Sequence, residues 1–369
     1  MMSEVRRIAL CTGGGDAPGL NAVLRAAVVS ALNRGWECLG IRDGFNGILN
    51  PEDYGGQGVI PMGREAVRGI THLGGTILGT TNKGNPLKFP VQDPDGNWTE
   101  VDRGDEVVRG LHELGVDALI SVGGDGSLAI AHALAQRGLR VVGVPKTIDN
   151  DLEGTVATFG FDTAVEFATE CLDRLHSTAA AHRRVMVVEV MGRYAGWISL
   201  HAGVAGTADV ILIPEIPYDI QKVADKVRDR HEREQKAFSI VVVAEGAHPA
   251  GGTVSVIGNE PGRLERLGGA GEKVAAELQT MTGLETRCVV LGHLLRGGSP
   301  SSMDRLLSLR FGAAAVRALA EGMTDVMVAL DPPLVRYVPL ERCVSRMKRV
   351  PLDGDTVVTA RDLGVCFGD

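Results

Sequence analysis

Aromatic residues are scarce in this sequence, at 4% of 369 residues. Proteins that stack nucleic-acid bases depend on such side chains, so their scarcity argues against a base-stacking surface. A formal net charge of −8 also opposes binding to a phosphate backbone, although it does not oppose a small anion held by a local cluster of arginines. We therefore expect no nucleic-acid partner.

Long apolar runs and paired cysteines are absent as well. No apolar run approaches the roughly 20 residues that span a bilayer, and the chain reaches a glycine loop at Gly13 without room for a signal peptide. None of the six Cys residues forms a CxxC pair or has zinc-site spacing. We expect a cytoplasmic protein with reduced thiols and no membrane partner.

Short apolar runs alternate regularly with amphipathic stretches. Strands are predicted at Arg7–Thr12, 118–122 and 140–144, and the pattern restarts at 184–190 and 238–244. Strands that alternate with helices predict parallel β-α-β units with helices on both faces of each sheet. Because 369 residues exceed what one hydrophobic core usually spans, we expect two α/β domains.

Two segments lack this alternation. Residues 81–103 are rich in Pro, Asn, Gly and Asp, so they are predicted to form a loop or a small hairpin near the surface. Residues 248–266 are predicted to form a loop. The charged run at 222–236 is predicted to be the solvated face of a helix.

The first glycine loop, at residues 12–19, follows a predicted strand and precedes a predicted helix. Exposed backbone N–H groups and a helix N-terminus together can bind an anion, although a plain tight turn explains the glycines equally well. The loop lacks the GK[ST] of a Walker A motif and does not match GxGxxG well.

A second glycine loop, at residues 123–127, places Asp125 among glycines after another predicted strand. Asp125 is either a helix cap or a ligand that holds Mg²⁺ against a polyphosphate. Two such loops at the carboxyl ends of strands in one domain indicate a common crevice.

A third predicted strand is followed by two carboxylates, Asp149 and Asp151, in the segment 145–151. Either could remove a proton from a sugar hydroxyl, whereas an Asx-rich turn is the alternative. Phosphoryl transfer to an anionic sugar also needs cations from several loops. Candidates near predicted strand ends are His182, Arg183, Arg184, Arg193, Arg287, His293 and Arg296, with Glu245 as a hydrogen-bond acceptor for a sugar hydroxyl.

Together these stretches closely resemble the 6-phosphofructokinase family. The motifs cover most of the chain from residue 7 to about 350, and they are specific only in combination. They are GGGDAPGLN (13–21), GGDGS (123–127), PKTIDND (145–151), HRR (182–184), VEVMGRYAGW (188–197) and ETRCVVLGHLLRGGSPSSMDR (285–305).

The resemblance implies an α/β fold of two similar three-layer α/β/α domains with mainly parallel sheets and an active site in the cleft between them. Residues 1–160 with about 295–345 would form the phosphoryl-donor domain. Residues 161–294 with about 346–369 would form the domain that binds fructose 6-phosphate. The implied reaction, in glycolysis, moves a phosphoryl group from ATP, with Mg²⁺, to the 1-hydroxyl and gives fructose 1,6-bisphosphate.

The resemblance also implies roles for single residues. Asp149 would be the base, Asp151 its companion, and Asp125 the Mg²⁺ ligand. Arg184 and Arg287 would reach into the site of a neighbouring subunit, so a homodimer or homotetramer is expected. The remaining implied positions are Gly14, Lys83, Gly124, Gly126 and Ser127 for the donor, and Thr147, Met191, Gly192, Arg193, Glu245, His293 and Arg296 for the sugar phosphate, with Gly14 and Arg193 also catalytic.

The family contains ATP-dependent and pyrophosphate-dependent members. The pyrophosphate pattern resembles GGDD with PKTIDND, and the best-known ATP pattern resembles GGDG with PGTIDND. Gly126 and Lys146 give this chain one mark of each. An Asp in place of Gly126 would put negative charge where the α-phosphate of a nucleotide must lie, so we expect ATP, with pyrophosphate as the alternative.

The chain departs from the family at two places. Asn82 stands where the family has an Arg that faces the transferring phosphoryl group, and we hypothesise that Lys83 substitutes for it. The bacterial effector site is poorly matched, because Arg25 agrees but His72 replaces an Arg and residues 235–236 are less basic. Regulation by a nucleoside diphosphate or phosphoenolpyruvate is therefore not expected.

Two alternative functions belong to other classes of protein. A catalytically weak sugar-phosphate sensor is the alternative that Asn82 raises, although a pure binder has little need of Asp125, Asp149 and Asp151. A nicotinamide-dependent oxidoreductase would use the first glycine loop, but a strict GxGxxG is missing and the segment 147–151 has no role in it.

Overall fold

The computed structural model describes residues 4–81, 84–92, 96–232, 238–258 and 266–369. The chain divides into two compact units. The first consists of Met1–Thr147, Leu152–Gly160 and Arg296–Met347, and the second consists of Ile148–Asp151, Phe161–Leu295 and Lys348–Asp369. The functional domain boundaries expected from the sequence stay a prediction.

Strands and helices alternate along most of the chain. The strands are β1 (Arg7–Thr12), β2 (Glu37–Ile41), β3 (Val59–Pro61), β4 (Phe89–Gln92), β5 (Trp98–Val101), β6 (Ala118–Gly123), β7 (Arg140–Pro145), β8 (Val185–Val190), β9 (Val210–Leu212), β10 (Ser239–Ala244), β11 (Val256–Gly258), β12 (Arg266–Leu267), β13 (Thr286–Val290), β14 (Val326–Asp331) and β15 (Leu334–Pro339). The helices are α1 (Leu20–Leu32), α2 (Asn46–Leu49), α3 (Gly104–Glu113), α4 (Asp125–Gln136), α5 (Phe161–His182), α6 (Trp197–Ala205), α7 (Ile220–Glu232), α8 (Ala270–Thr282), α9 (Ser302–Ala320), α10 (Leu340–Ser345) and α11 (Asp355–Asp362), with 3-10 turns at Pro51–Tyr54 and Gly292–Arg296.

The first unit is built on a seven-stranded sheet in the order β15-β14-β7-β6-β1-β2-β3. Its interior strands pair in parallel, whereas the edge strands β3 and β15 pair antiparallel. Ile8 and Leu10 of β1 pack with α1 and α9 on one face, and Ala9 and Cys11 pack with α3, α4 and α10 on the other. Since successive residues of a strand face opposite sides, an entirely apolar strand is stable only between two layers of helices.

The second unit has a four-stranded parallel sheet in the order β13-β8-β10-β9. Every residue of β8 and β10 is buried. Alternate residues of these strands, such as Val187 and Val241, pack against α7 and α8. Helix α5 contacts both strands and α6 contacts β10, and together they supply the second helical layer. The predicted α/β class with mainly parallel sheets is therefore confirmed.

The local predictions differ from the structure in small ways. Of the loop or small hairpin predicted for 81–103, the structure shows the hairpin, as the exposed antiparallel pair of β4 and β5. Where only a loop was predicted at 248–266, β11 and β12 form a short antiparallel pair. Within the described residues, no helix is both long and apolar enough to cross a membrane.

Helices α1 and α9 approach each other closely at Gly312. A Cβ at this position would lie 2.5 Å from the carbonyl oxygen of Val23 and 2.9 Å from the Cβ of Ala26. We predict that Gly312→Ala pushes the helices apart and lowers the free energy of unfolding by about 1–3 kcal/mol. Urea unfolding measures this change.

The matched control is Gly63→Ala, because a Cβ on Gly63 meets no atom within 4 Å. We expect it to change the unfolding free energy by less than about 0.5 kcal/mol. Equal stability of the two variants would contradict the packing described for α1 and α9.

Candidate active site

The loops that follow β1, β6 and β7 meet at one edge of the sheet in the first unit. Neighbouring parallel strands end at the same edge of a sheet, and backbone hydrogen bonds connect these segments directly. The backbone N–H of Gly13 donates to the carbonyl of Val122 (3.0 Å), and that of Lys146 donates to Gly123 (2.9 Å). From β1 the chain continues to β2 on one side, while β6 lies on the other. Such a reversal of strand order leaves a crevice in which α/β proteins bind ligands.

The first glycine loop is held open by contacts on both sides. Gly14 has a φ of +75°, a left-handed conformation that favours glycine. Its carbonyl accepts a hydrogen bond from Thr80 Oγ1 (2.6 Å), and its N–H donates to Thr81 (3.3 Å). Arg296 Nη1 donates to the carbonyl of Asp16 (3.2 Å), so Arg296 contacts this loop.

Lys146 carries a positive charge into the same loop. Its side chain is only 3% exposed, and Nζ donates a hydrogen bond to the carbonyl of Gly15. Nζ would lie 3.5 Å from a Cβ on Gly14. An ammonium group beside a partly exposed glycine loop that leads into a helix favours a bound polyphosphate.

The second glycine loop leaves space beside a carboxylate. Helix α4 begins at Asp125, inside the predicted loop 123–127, so Asp125 and Gly126 lie exposed in its first turn. A Cβ on Gly126 would meet no atom within 4 Å, whereas one on Gly124 would lie 3.4 Å from the carbonyl oxygen of Lys146. The Oγ of Ser127 would lie 2.5 Å from a Cβ on Gly123, so this hydroxyl fills the space beneath the loop.

Asp125 fits a Mg²⁺ ion that is shared with a ligand. In the described part of the chain, no three His, Cys, Asp or Glu side chains converge as a metal cage. Mg²⁺ usually binds through one or two carboxylates together with substrate phosphates, so one exposed carboxylate beside open space suits it.

The segment after β7 crosses from one unit to the other. Thr147 belongs to the first unit, and Ile148–Asp151 belongs to the second. Asp149 and Asp151 are partly exposed, whereas Asn150 between them is 4% exposed and has a φ of +51°. Two carboxylates thus flank a buried residue in a strained turn.

In the second unit, the predicted sugar-phosphate residues gather at the carboxyl edge of the sheet. Met191, Gly192 and Arg193 follow β8, Glu245 follows β10, and His293 follows β13. The backbone N–H of Glu245 donates to Val190 (2.9 Å), and that of Gly246 donates to Gly192 (3.2 Å). Met191 and Gly192 are buried, whereas His293 is exposed.

Arg184 and Arg287 lie at the opposite, amino edge of that sheet. Arg184 precedes β8, and Arg287 is the second residue of β13. Both pair with Glu285, at 2.9 Å and 2.7 Å, and the hydrogen bond from Arg184 lowers the pKa of Glu285. Six strand residues span about 20 Å, so these arginines lie far from Glu245 at the other edge of the sheet.

Asn82 and Lys83, and residues 235–236 of the effector comparison, lie outside the described residues. Arg25 Nη1 donates to the carbonyl of Val67 (2.9 Å). The carbonyl of His72 accepts a hydrogen bond from Ser299 Oγ (2.6 Å).

Glu215 is a structural residue of the site that sequence reasoning missed. Its carboxylate accepts hydrogen bonds from the backbone N–H groups of Gly196 (3.1 and 3.2 Å) and Val350 (2.9 Å). Burial raises its pKa, and these hydrogen bonds oppose the shift. A carboxylate in the sequence Pro-Glu-Ile-Pro soon after a buried strand was the available signal.

Glycine loops at a reversal of strand order define an α/β protein of the kind that binds phosphorylated ligands. The chain belongs to the phosphofructokinase family, since the model of that family, described as Phosphofructokinase, matches residues 7–319. This confirms the resemblance seen in the motifs.

Curated relatives match over the full chain. ATP-dependent 6-phosphofructokinase of Chloroflexus aggregans is 52% identical and covers 100% of this chain and 99% of its own length. ATP-dependent 6-phosphofructokinase 2 of Clostridium perfringens is 46% identical over the whole of both chains. A pyrophosphate--fructose 6-phosphate 1-phosphotransferase of Amycolatopsis mediterranei is also 46% identical, over 94% of this chain and 97% of that protein.

Solved structures agree on the fold. Phosphofructokinase of Pichia pastoris in the T-state aligns with a TM-score of 0.78 and 29% identity over 98% of this chain, which spans 36% of that longer chain. The pyrophosphate-dependent phosphofructokinase of Nitrosospira multiformis aligns with a TM-score of 0.79 over 99% of this chain and 93% of that one. At 21% identity, the second match shows the fold alone.

Proposed function

We propose that this protein is an ATP-dependent 6-phosphofructokinase, which transfers the γ-phosphoryl group of ATP to the 1-hydroxyl of fructose 6-phosphate. The observation that carries the proposal is the convergence of Gly14, Asp125 and Lys146 at one edge of the first unit's sheet. Full-length relatives at 46–52% identity that are named ATP-dependent support the same reaction.

The donor site is assigned to the first unit. Gly14, Gly124 and Ser127 border the space for the phosphates, and Lys146 supplies positive charge. Bound Mg²⁺ on Asp125 would neutralise charge on the β- and γ-phosphates. The open space at Gly126 supports ATP, because it leaves room for the α-phosphate. Lys146 and the Amycolatopsis relative keep pyrophosphate as the second candidate.

The acceptor site is assigned mainly to residues of the second unit, together with Thr147 and Arg296 of the first. Asp149 accepts the proton of the 1-hydroxyl as that oxygen attacks phosphorus, and Asp151 positions the substrate beside it. Arg193 stabilises the charge that develops on the transferred group. Thr147, Met191, Gly192, Glu245, His293 and Arg296 are assigned to binding of the sugar phosphate.

Arg184 and Arg287 are assigned to a neighbouring subunit's site. They lie at the amino edge of a sheet whose carboxyl edge carries Glu245 and Arg193, so they serve the sugar phosphate only from another chain. This requires self-association with sites shared across an interface, as in a homodimer or homotetramer.

The proposal is tested by assaying the purified protein with fructose 6-phosphate and Mg²⁺ and supplying ATP or pyrophosphate in parallel. Formation of fructose 1,6-bisphosphate with ATP alone is the expected result. Turnover with pyrophosphate alone would overturn the choice of donor. Folded protein that turns over with neither donor would overturn the kinase assignment.

We predict that Gly126→Asp lowers kcat/KM for ATP at least about ten-fold, because like charges forced together cost several kcal/mol. Gly126→Ala is the matched control, since its Cβ meets no atom within 4 Å, and it should stay within about two-fold of wild type. Steady-state kinetics with varied ATP measures both variants. Equal activity of the two would show that the α-phosphate lies elsewhere.

A subunit-mixing experiment tests the shared site. Arg184→Ala and Asp149→Asn should each abolish turnover at low fructose 6-phosphate. In a one-to-one mixture of co-expressed chains, one hybrid site combines an intact Asp149 with the neighbour's intact Arg184. About a quarter of wild-type activity should therefore return.

The control mixture pairs Asp149→Asn with Arg193→Ala. These two residues belong to the same unit of one chain and are assigned to the same site, so every site in this mixture lacks one of them and we expect no recovery. Absence of recovery with Arg184→Ala would show that Arg184 serves its own chain.

A further inference from the structure

The C-terminal segment 348–350 runs beside the turn that carries the two carboxylates, within the second unit. The backbone N–H of Lys348 donates to the carbonyl of Asp151 (2.8 Å). The Nζ of the same residue donates to the side-chain Oδ1 of Asn150 (2.9 Å). One lysine therefore contacts this turn, Ile148–Asp151, through both its main chain and its side chain.

Asn150 is the conformational centre of the turn. Its φ of +51° lies in the left-handed region, which costs a non-glycine residue free energy unless its surroundings hold it there. Asn150 is 4% exposed. Bulk water therefore cannot replace the hydrogen bond from Lys348 to the amide oxygen unless the turn opens. Because Asp149 and Asp151 flank it, a change in the backbone of Asn150 would shift the starting points of both side chains.

Lys348 is itself fixed at two points. The indole Nε1–H of Trp197 donates to the carbonyl of Lys348 (3.1 Å), and the ammonium group lies 5.4 Å from the centroid of the same indole. A cation at this distance is attracted by the aromatic ring. The lysine side chain is thus aimed at Asn150 by the tryptophan below it.

The same segment also reaches the loop that carries Arg193. Trp197 begins α6 directly after this loop. Glu215 accepts hydrogen bonds from Gly196 in the loop and from Val350 in the C-terminal segment. Segment 348–350 therefore links the turn of Asp149 to the loop of Arg193, although none of its residues belongs to the turn or to the loop.

We infer that Lys348 is a positioning residue for phosphoryl transfer, which acts through Asn150 to hold Asp149 in the direction needed to accept the proton. The inference rests on the proposed function, since it assigns a role in that reaction. A misplaced base affects the chemical step more than ground-state binding, so the expected signature is a lower kcat at unchanged KM.

Lys348→Met in the full-length enzyme is the primary test, because methionine retains an apolar stem over Trp197 but has no donor. We expect kcat to fall about 10- to 100-fold, with KM for both substrates within about two-fold of wild type. Lys273→Met is the control, since Lys273 is an exposed lysine on α8 of the same unit, and it should leave kcat unchanged.

A double-mutant cycle with Asn150→Gly tests whether Lys348 acts through Asn150. Glycine accepts the left-handed conformation but removes the oxygen that Lys348 contacts. We expect Lys348→Met to lower kcat by less than about two-fold in the Asn150→Gly background. The full loss in that background would overturn the inference.

Trp197→Phe keeps the test available if Lys348→Met does not fold, because phenylalanine retains an aromatic ring but loses the hydrogen bond to Lys348. A lower kcat at unchanged KM supports the inference, and wild-type kcat overturns it. An active wild type with equally active Lys348→Met refutes the positioning role alone. A wild type inactive with both donors refutes the proposed function and the positioning role together.

Discussion

The polarity of the parallel sheets is the constraint on which the rest of the molecule depends. Helices cover both faces of each sheet, so the strands are almost entirely apolar and their side chains are used for packing. Loops at the carboxyl ends are free of that demand. Polar groups separated by more than a hundred residues, such as the carbonyl of Gly15 and the ammonium group of Lys146, meet there because nearby parallel strands end at the same edge.

The same polarity separates Arg184 and Arg287 from the other residues proposed for the acceptor site. Arg184 and Arg287 precede or begin strands whose far ends lead to Arg193 and His293, and no loop rearrangement at one edge carries a side chain to the other. The pairing of both arginines with Glu285 holds them in place at the amino edge. Under the proposed function, a neighbouring subunit supplies Arg184 and Arg287 to the sugar phosphate, because the fold places these arginines away from the site of their own chain.

Much of this arrangement could be predicted from the sequence, because apolar runs and glycine loops are local signals. The strand β1 and the position of Asp125 after β6 are examples. Contacts between distant segments could not be predicted in this way. Nothing local to Lys348 shows that it contacts Asn150, which lies 198 residues away, and the burial of Lys146 depends on strand order rather than on neighbouring residues.

The loops that follow β1, β6 and β7 are proposed to hold the phosphates of the donor. A crystal structure of the protein with Mg²⁺ and a non-hydrolysable ATP analogue tests this most directly. We expect the phosphates between Gly14 and Gly126, within hydrogen-bond distance of Lys146, with the metal ion on Asp125. Phosphates bound away from these loops, or a metal ion held without Asp125, would contradict the account.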